Sequence, residues 1–170
     1  LGVAPNRIGE VLGIFKAYCT RVGSGPFPTE LNDATGDLIR EKGHEFGATT
    51  GRPRRCGWLD LPALQYAIML NGVTQLIMMK ADVLSGFDTL KVATGYKLTT
   101  GEITKDFPYD LATLTDIVYD ELEGWNEEDL KDIRSINQIP SQLKKYMTYI
   151  EEKTKLPITI ISRGPNRDQT

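Results

Sequence analysis

Residues 47–60 read GATTGRPRRCGWLD, a short irregular run that crowds glycines, hydroxyl side chains and three arginines together. Arg52, Arg54 and Arg55 carry planar guanidinium forks that match carboxylates and phosphates two bonds at a time. Thr49 and Thr50 add hydroxyl donors. Gly47 and Gly51 allow close backbone approach, and Pro53 stiffens the run between two of the arginines. Two descriptions fit these residues: a small-anion site, or a solvated basic surface turn. A second candidate is Lys80-Ala81-Asp82, which follows the apolar run VTQLIMM. In open α/β sheets ligands bind beyond the carboxyl ends of strands. An aspartate there can accept two parallel hydrogen bonds from the ring N–H and amino group of guanine, a donor pair that adenine does not present. The alkyl stem of the lysine can lie flat on the ring. The alternative is a strand-terminal salt bridge. A third candidate is the turn after LPITII, where Ser162 offers a hydroxyl, Gly164 an approachable backbone and Pro165 a flat packing surface.

Several elements must position these groups. Residues 5–12 suggest a short helix, and IFKAYCTRV from Ile14 reads as one strand. It ends in GSGPFPTE, where Thr29 and Glu30 present polar groups on a shaped loop or on a plain connector. Residues 33–46 read as a helix capped by Asp33, with Leu38 and Ile39 turned inward and Gly43 near its end. Asp60 caps a second helix, with Pro62 in its first turn, Gly72 as its stop and Leu61, Leu64, Ala67 and Ile68 as its apolar face. VTQLIMMK is a buried strand with Met78 and Met79 as core filling. Residues 89–98 form a strand, 99–101 a turn, and 102–107 pair back; 117–122 is a further strand. Glu121 and Glu123 share a strand face, but without a partner group EGWNEED reads as a solvated acidic turn in which Trp125 covers an apolar edge. Asn126 caps EEDLKDIR, and Ser141 caps QLKKYMTYIEEKT, whose Leu143, Tyr146, Met147 and Ile150 make a core stripe. LPITII is then a buried strand reached by a crossover. The single histidine, His44, has no triad or metal set beside it in the sequence and is taken as structural.

The 170 residues suffice for one domain with a proper core. A net charge of −3 gives no global case for nucleic acid, so any anion site must be local. Cys19 and Cys56 make neither a disulfide framework nor a metal cluster and fit a reducing compartment. No apolar run is long enough to span a bilayer, and no basic-then-apolar leader is seen. Without repeats or linkers, residues 1–170 read as a single α/β unit.

The run at 47–60 resembles the aspartate-binding loop of the adenylosuccinate synthetase family, whose members join IMP to L-aspartate at the expense of GTP. KAYCTRVGSGPFPTEL at 16–31 is similar to that family's signature just upstream, and MKADVL at 79–84 and ISRGP at 161–165 follow in the family's order. The resemblance runs end to end. It implies the C-terminal portion of a mostly parallel-sheet α/β nucleotide-binding fold related to P-loop GTP-binding proteins, here as a segment of a larger single-domain enzyme. The chain opens LGVAPNR and contains no GxxxxGK[ST], in keeping with that expectation. The phosphate loop, the catalytic carboxylate and histidine, and the residues that hold magnesium would lie outside this segment. No catalytic or metal residue is therefore expected here, and by itself the chain should not turn over.

For binding, the resemblance implies that Ala48, Thr49, Thr50, Gly51, Arg52, Pro53 and Arg54 fold over aspartate and IMP. Arg52 would reach the IMP ribose, and Arg54 would bind the aspartate carboxylate and lie near the GTP phosphates. Lys80, Ala81, Asp82, Ser162, Arg163, Gly164 and Pro165 would hold GTP. The chain departs from the family's pattern at Met79 (often threonine), Ala81 (often leucine) and Arg163 (usually small or apolar). The implied partners are GTP, IMP and L-aspartate in a cytoplasmic homodimer, with no nucleic acid and no membrane. A piece cut from such a sheet would show open edges and exposed apolar surface. The competing readings are a stand-alone anion or nucleic-acid binding module working through RPRR, opposed by net acidity and the scarcity of neighbouring aromatics, and a structural fragment with no activity.

Overall fold

A sheet whose strands all run the same way brings their carboxyl ends to one side, and that is how this chain assembles its candidate site. The computed structural model describes residues 2–130, 133 and 135–170. Strands β1 (Leu12–Lys16), β5 (Gln75–Met79) and β9 (Ile158–Ile161) form a parallel sheet in the order β1-β5-β9. The run expected as one strand from Ile14 divides in two. Ala17 still donates its N–H to the Met79 carbonyl (2.9 Å), but the chain then bends at the buried Ala17 and Tyr18. It continues as β2 (Cys19–Arg21), antiparallel to β3 (Arg55–Gly57). The helix expected over 5–12 is a single 3-10 turn, Pro5–Arg7, because Val11 is drawn into strand-like bonding with Thr74.

Helix α1 (Ala34–Lys42) is capped as expected: Asp33 Oδ1 accepts from the backbone N–H of Thr35 (2.9 Å) and Gly36 (3.0 Å), and Gly43 closes it. Ile39 is buried, but Leu38 is 44% exposed, since consecutive helical residues point about 100° apart. Short β4 (Leu59–Asp60) leads into α2 (Leu61–Asn71), where Asp60 Oδ1 accepts from Ala63 N (3.1 Å) and from the Tyr96 hydroxyl (2.6 Å). Gly72 ends α2 in the left-handed region at φ 59°, where a side chain would be strained. The apolar face predicted for α2 is only partly covered: Leu61 is buried, Leu64 and Ile68 half-buried, and Ala67 exposed.

Beside the parallel sheet, β6 (Thr89–Leu98) pairs parallel with β4 and antiparallel with β7 (Ile103–Thr104) and β8 (Leu114–Glu123). Glu121 faces Lys91 across β8 and β6 in an exposed ion pair, inside the strand as expected, and β8 runs on to Glu123, the first residue of the run expected as an acidic turn. Of the helix expected at EEDLKDIR, the described part is a 3-10 turn, Glu128–Leu130; residues 131, 132 and 134 lie outside the described residues. Helix α3 (Ser141–Thr154) buries Leu143, Tyr146, Met147 and Ile150 as its stripe requires. Its cap position is Pro140 rather than Ser141, whose hydroxyl donates to the Gln142 side chain.

The core is one buried cluster that joins α3 and the parallel sheet to α1 and β6, through residues such as Ile39, Met78, Leu90 and Leu143. Tyr146 donates its hydroxyl to the Ala17 carbonyl (2.7 Å), fixing α3 to the end of β1. Trp125, 2% exposed, packs edge-on against Tyr146 and donates Nε1–H to the Ala81 carbonyl (3.1 Å). The residue expected to cover an apolar edge thus also fixes the turn after β5. Among the described residues, each outer strand of the parallel sheet has a strand neighbour on one side only. Ile14 on β1 is 71% exposed and Ile160 on β9 is 40% exposed, so β9 is an edge rather than the buried strand its composition suggests. Exposed Met69 and Leu70 on α2 add to this apolar surface. Among the described residues no helix is long and apolar enough to cross a membrane.

Candidate functional site

The turns after β5 and β9 are joined directly. Ser162 N–H donates to the Met78 carbonyl (2.8 Å), and Ala81 N–H donates to the Ser162 carbonyl (3.1 Å). Lys80 leaves the strand at φ 61°, an uncommon conformation for a residue with a side chain, and starts the 3-10 turn Ala81–Leu84. Asp82 sits in that turn. Its Oδ1 is buried without a hydrogen-bond partner among the described residues. Burial pushes the Asp82 carboxyl above its ordinary range, against the opposing pull of its own and Val83's N–H and of the Lys80 and Lys42 charges. A buried acceptor with no partner is uncommon and calls for an explanation. In the opposite turn, the Ser162 hydroxyl donates to the Gly164 carbonyl (3.1 Å). A Cβ on Gly164 would lie 2.3 Å from the end of the Gln169 side chain, which would have to move aside. Pro165 follows, exposed. Arg163 directs its guanidinium to the carbonyls of Leu130 (2.9 Å) and Ile133 (2.7 Å), tying this turn to the segment before α3.

The arginine-rich run forms a closed loop. Gly47 N–H donates to the Arg52 carbonyl (2.9 Å), Gly51 N–H donates to the Gly47 carbonyl (2.8 Å), and Phe46 bridges to Pro53. Gly51 takes φ 63°, which its missing side chain permits. Ala48, Thr49, Thr50, Gly51, Arg52 and Pro53 are all exposed at its rim. Among the described residues the Arg52 side chain makes no hydrogen bond or ion pair. The other two arginines are committed. Arg55 grips both carboxylate oxygens of Glu30, reaches the Gly23 (2.9 Å) and Gly25 (2.6 Å) carbonyls and stacks over Phe27. It therefore shapes the loop at 22–29, and Glu30 is its partner. Arg54 turns inward.

Arg54 meets Glu45, the residue that sequence reasoning missed. The Glu45 side chain is fully buried. Its Oε1 accepts from Lys16 Nζ (2.6 Å), the Tyr18 hydroxyl (2.6 Å) and Lys80 Nζ (2.9 Å), and its Oε2 accepts from Arg54 Nη1 (2.7 Å). Burial alone would push this carboxyl up; the bonds from Lys16, Lys80, Tyr18 and Arg54 outweigh it and bring it down to about 2. Lys80 is held further by the Gly43 carbonyl (2.6 Å). Neighbouring His44 is exposed at φ 48° and touches none of this. The one available signal was a lone carboxylate just ahead of a cationic loop, in a stretch with no periodicity to give its direction.

Two sequence candidates, the arginine loop and the Lys80 turn, thus meet at Glu45, and the Lys80 and Ser162 turns meet through their backbones. Three cations around one carboxylate leave a local surplus of two positive charges. The side chains of Lys16, Arg54 and Lys80 are 28%, 33% and 35% exposed, so that surplus can face an incoming anion. The described residues contain no group of three or more His, Cys, Asp or Glu side chains placed to hold a metal. Cys19 is half-buried, and desolvation pushes its thiol up to about 12, away from the thiolate form at neutral pH.

The chain is similar to known proteins over its whole length. The family model described as adenylosuccinate synthetase matches residues 1–170. The adenylosuccinate synthetase of Cytophaga hutchinsonii is 60% identical over the whole of this chain, which covers 39% of that protein. That of Bacteroides thetaiotaomicron is 57% identical, with 40% of its length covered. The chain thus spans about two fifths of the length of these curated relatives. The structure of fully ligated adenylosuccinate synthetase from Plasmodium falciparum superposes with a TM-score of 0.93 at 41% identity, over 99% of this chain and 41% of that one. The fold is accordingly the α/β nucleotide-binding fold expected from the sequence.

Proposed function

The chain belongs to the adenylosuccinate synthetase family, and from that premise we propose that it is the C-terminal α/β segment of a cytoplasmic, homodimeric ligase of purine nucleotide synthesis. In that reaction the 6-oxygen of IMP takes the γ-phosphoryl group of GTP, releasing GDP. The aspartate amine then attacks C6; the C6–N bond forms as the C6–O bond breaks, phosphate leaves with that oxygen, and loss of the amine proton gives adenylosuccinate. This segment supplies the aspartate loop and the guanine pocket. Ala48 to Gly51 and Pro53 fold over aspartate, Arg52 contacts aspartate and the IMP ribose, and Arg54 pairs with the aspartate carboxylate near the GTP phosphates. Lys80, Ala81, Asp82, Ser162, Arg163, Gly164 and Pro165 hold GTP. Magnesium, held by residues outside the segment, offsets phosphate charge when bound. The segment carries no catalytic residue and is inactive alone.

The observation that carries this reading is the buried, unpartnered Oδ1 of Asp82 beside two strand-end turns joined backbone to backbone. A polyanion-binding module is not favoured: the chain's net charge is −3, and Arg55 of RPRR is committed to Glu30 and to the Gly23 and Gly25 carbonyls. The test is adenylosuccinate formation by the full-length protein. Arg52→Ala is expected to raise the aspartate KM by roughly 30-fold or more, as loss of a paired charge costs about 2–5 kcal/mol, and to leave stability unchanged. A folded wild-type protein that forms no adenylosuccinate from GTP, IMP and aspartate would refute the reading.

A further inference from the structure

Resting on that reading, we propose that Glu45 is a positioning residue that sets the aspartate-side Arg54 and the guanine-side Lys80 together, so that the two subsites gain and lose affinity as a unit. Its side chain is wholly inside the protein, so it acts through the groups it holds and touches no substrate. Both of its oxygens are used, and the four donors come from four places: the end of β1, the bend after it, the return of the arginine loop and the end of β5.

The grip on each side is double. Arg54 is bound to Glu45 by its guanidinium and also by its backbone N–H on the Glu45 carbonyl (2.9 Å). Lys80 is bound at its ammonium by Glu45 and by the Gly43 carbonyl, two residues earlier on the same stretch. Lys80 also holds the uncommon φ 61° from which the Asp82 turn starts. Its head is anchored where its backbone is least at ease, so the direction of the Asp82 turn depends on the carboxylate at the other end of the side chain. Displacing Glu45 would release Arg54 toward solvent and relax Lys80 in the same event. One carboxylate shared by two subsites is a physical route for coupling, because either ligand gains from an arrangement that the other also needs.

The test uses steady-state kinetics of the full-length enzyme, varying GTP and aspartate separately. Glu45→Gln keeps the volume, but whichever way the amide turns, an NH2 donor faces one of the cations. It is expected to raise the KM for GTP and for aspartate together, each by about tenfold, with kcat within about threefold. Tyr18→Phe removes one donor to Oε1 without changing any charge, and decides the matter if Glu45→Gln does not fold. It is expected to raise both KM values by about two- to threefold. A purely structural Glu45 would lower thermal stability or kcat and leave both KM values at the wild-type level; that result, or movement of only one KM, would overturn the proposal. Absence of adenylosuccinate formation by the wild-type protein would instead overturn the underlying reading, and this inference with it.

Discussion

Asp82→Asn puts the guanine-pocket reading at most risk. The Asp82 Oδ1 is buried, with no hydrogen-bond partner among the described residues. Much of the cost of desolvating this acceptor is therefore met on folding, and a guanine would bring two N–H donors to a carboxylate that is already half-buried. Hydrogen bonds to a charged acceptor contribute about 1.5–3 kcal/mol each, so the pair amounts to roughly 3–5 kcal/mol, or about 10²–10³ in affinity. Asparagine keeps the shape but turns one acceptor into a donor, which then opposes the guanine amino group. The expected result is a loss of GTP affinity of about 10²-fold or more. Xanthine carries a carbonyl where guanine carries that amino group, so XTP should gain on the variant and pass GTP. Unfolding cannot explain the loss: burial disfavours the charged form of Asp82, so a neutral amide costs the fold nothing on that account, and thermal unfolding of the variant checks it. Calorimetric titration of full-length wild type and variant with GTP, XTP and ATP is the assay. Because the Asp82 carboxyl is raised above its ordinary 3.8, wild-type GTP affinity should begin to fall on acidification at a higher pH than a free aspartate would set. Unchanged GTP affinity in the Asn variant would refute the reasoning.

Two further predictions concern the scaffold. Arg55→Ala removes a bidentate pair with Glu30 and two carbonyl contacts that fix the 22–29 loop. Since the pair is partly exposed, the expected cost is about 2 kcal/mol in denaturant unfolding, with faster proteolysis confined to that loop; Arg52→Ala should show neither. Glu45 is brought from an ordinary 4.5 down to about 2 in the folded chain, so its contribution is full above about pH 4.5 and is lost as pH falls toward 2. That contribution is roughly 3 kcal/mol, and Glu45→Gln should flatten the stability–pH curve across this window in chemical denaturation.

The sequence made most of the scaffold legible where local chemistry decides. Asp33 and Asp60 cap their helices, Gly72 ends α2, the stripe of α3 is buried, and Thr89–Leu98 forms a strand with a hairpin after it. Misplacements arise where distant contacts override local pattern. Ile14 to Val22 carries one uninterrupted β-favouring composition, yet Tyr18 is pulled to Glu45 and the strand bends there. LPITII reads as buried because all its apolar residues could face a core, but β9 has a neighbour on one side only. For the site, spacing and residue type located the arginine loop and the two strand-end turns. Nothing in the spacing gave the directions of Arg55 and Arg163, which depend on carbonyls about thirty residues away.

Glu45 was illegible for a deeper reason, and that reason bears on how the site works. A buried carboxylate is normally unfavourable unless its partners satisfy it completely, and no partner is near it in sequence except Arg54. The fold satisfies it by bringing in Lys16 from the end of β1, Tyr18 from the bend after it and Lys80 from just past β5, strands that are themselves neighbours in the sheet. One negative charge then holds three cations within 2.6–2.9 Å. Left alone, those cations would repel each other and spread into solvent; with a second carboxylate they would be nearly neutral and offer little to an anion. A single buried carboxylate fixes their positions and still leaves positive charge toward the solvent side. That balance fits a site whose proposed ligands are a nucleoside triphosphate and a dicarboxylate amino acid, in a chain whose overall charge is negative.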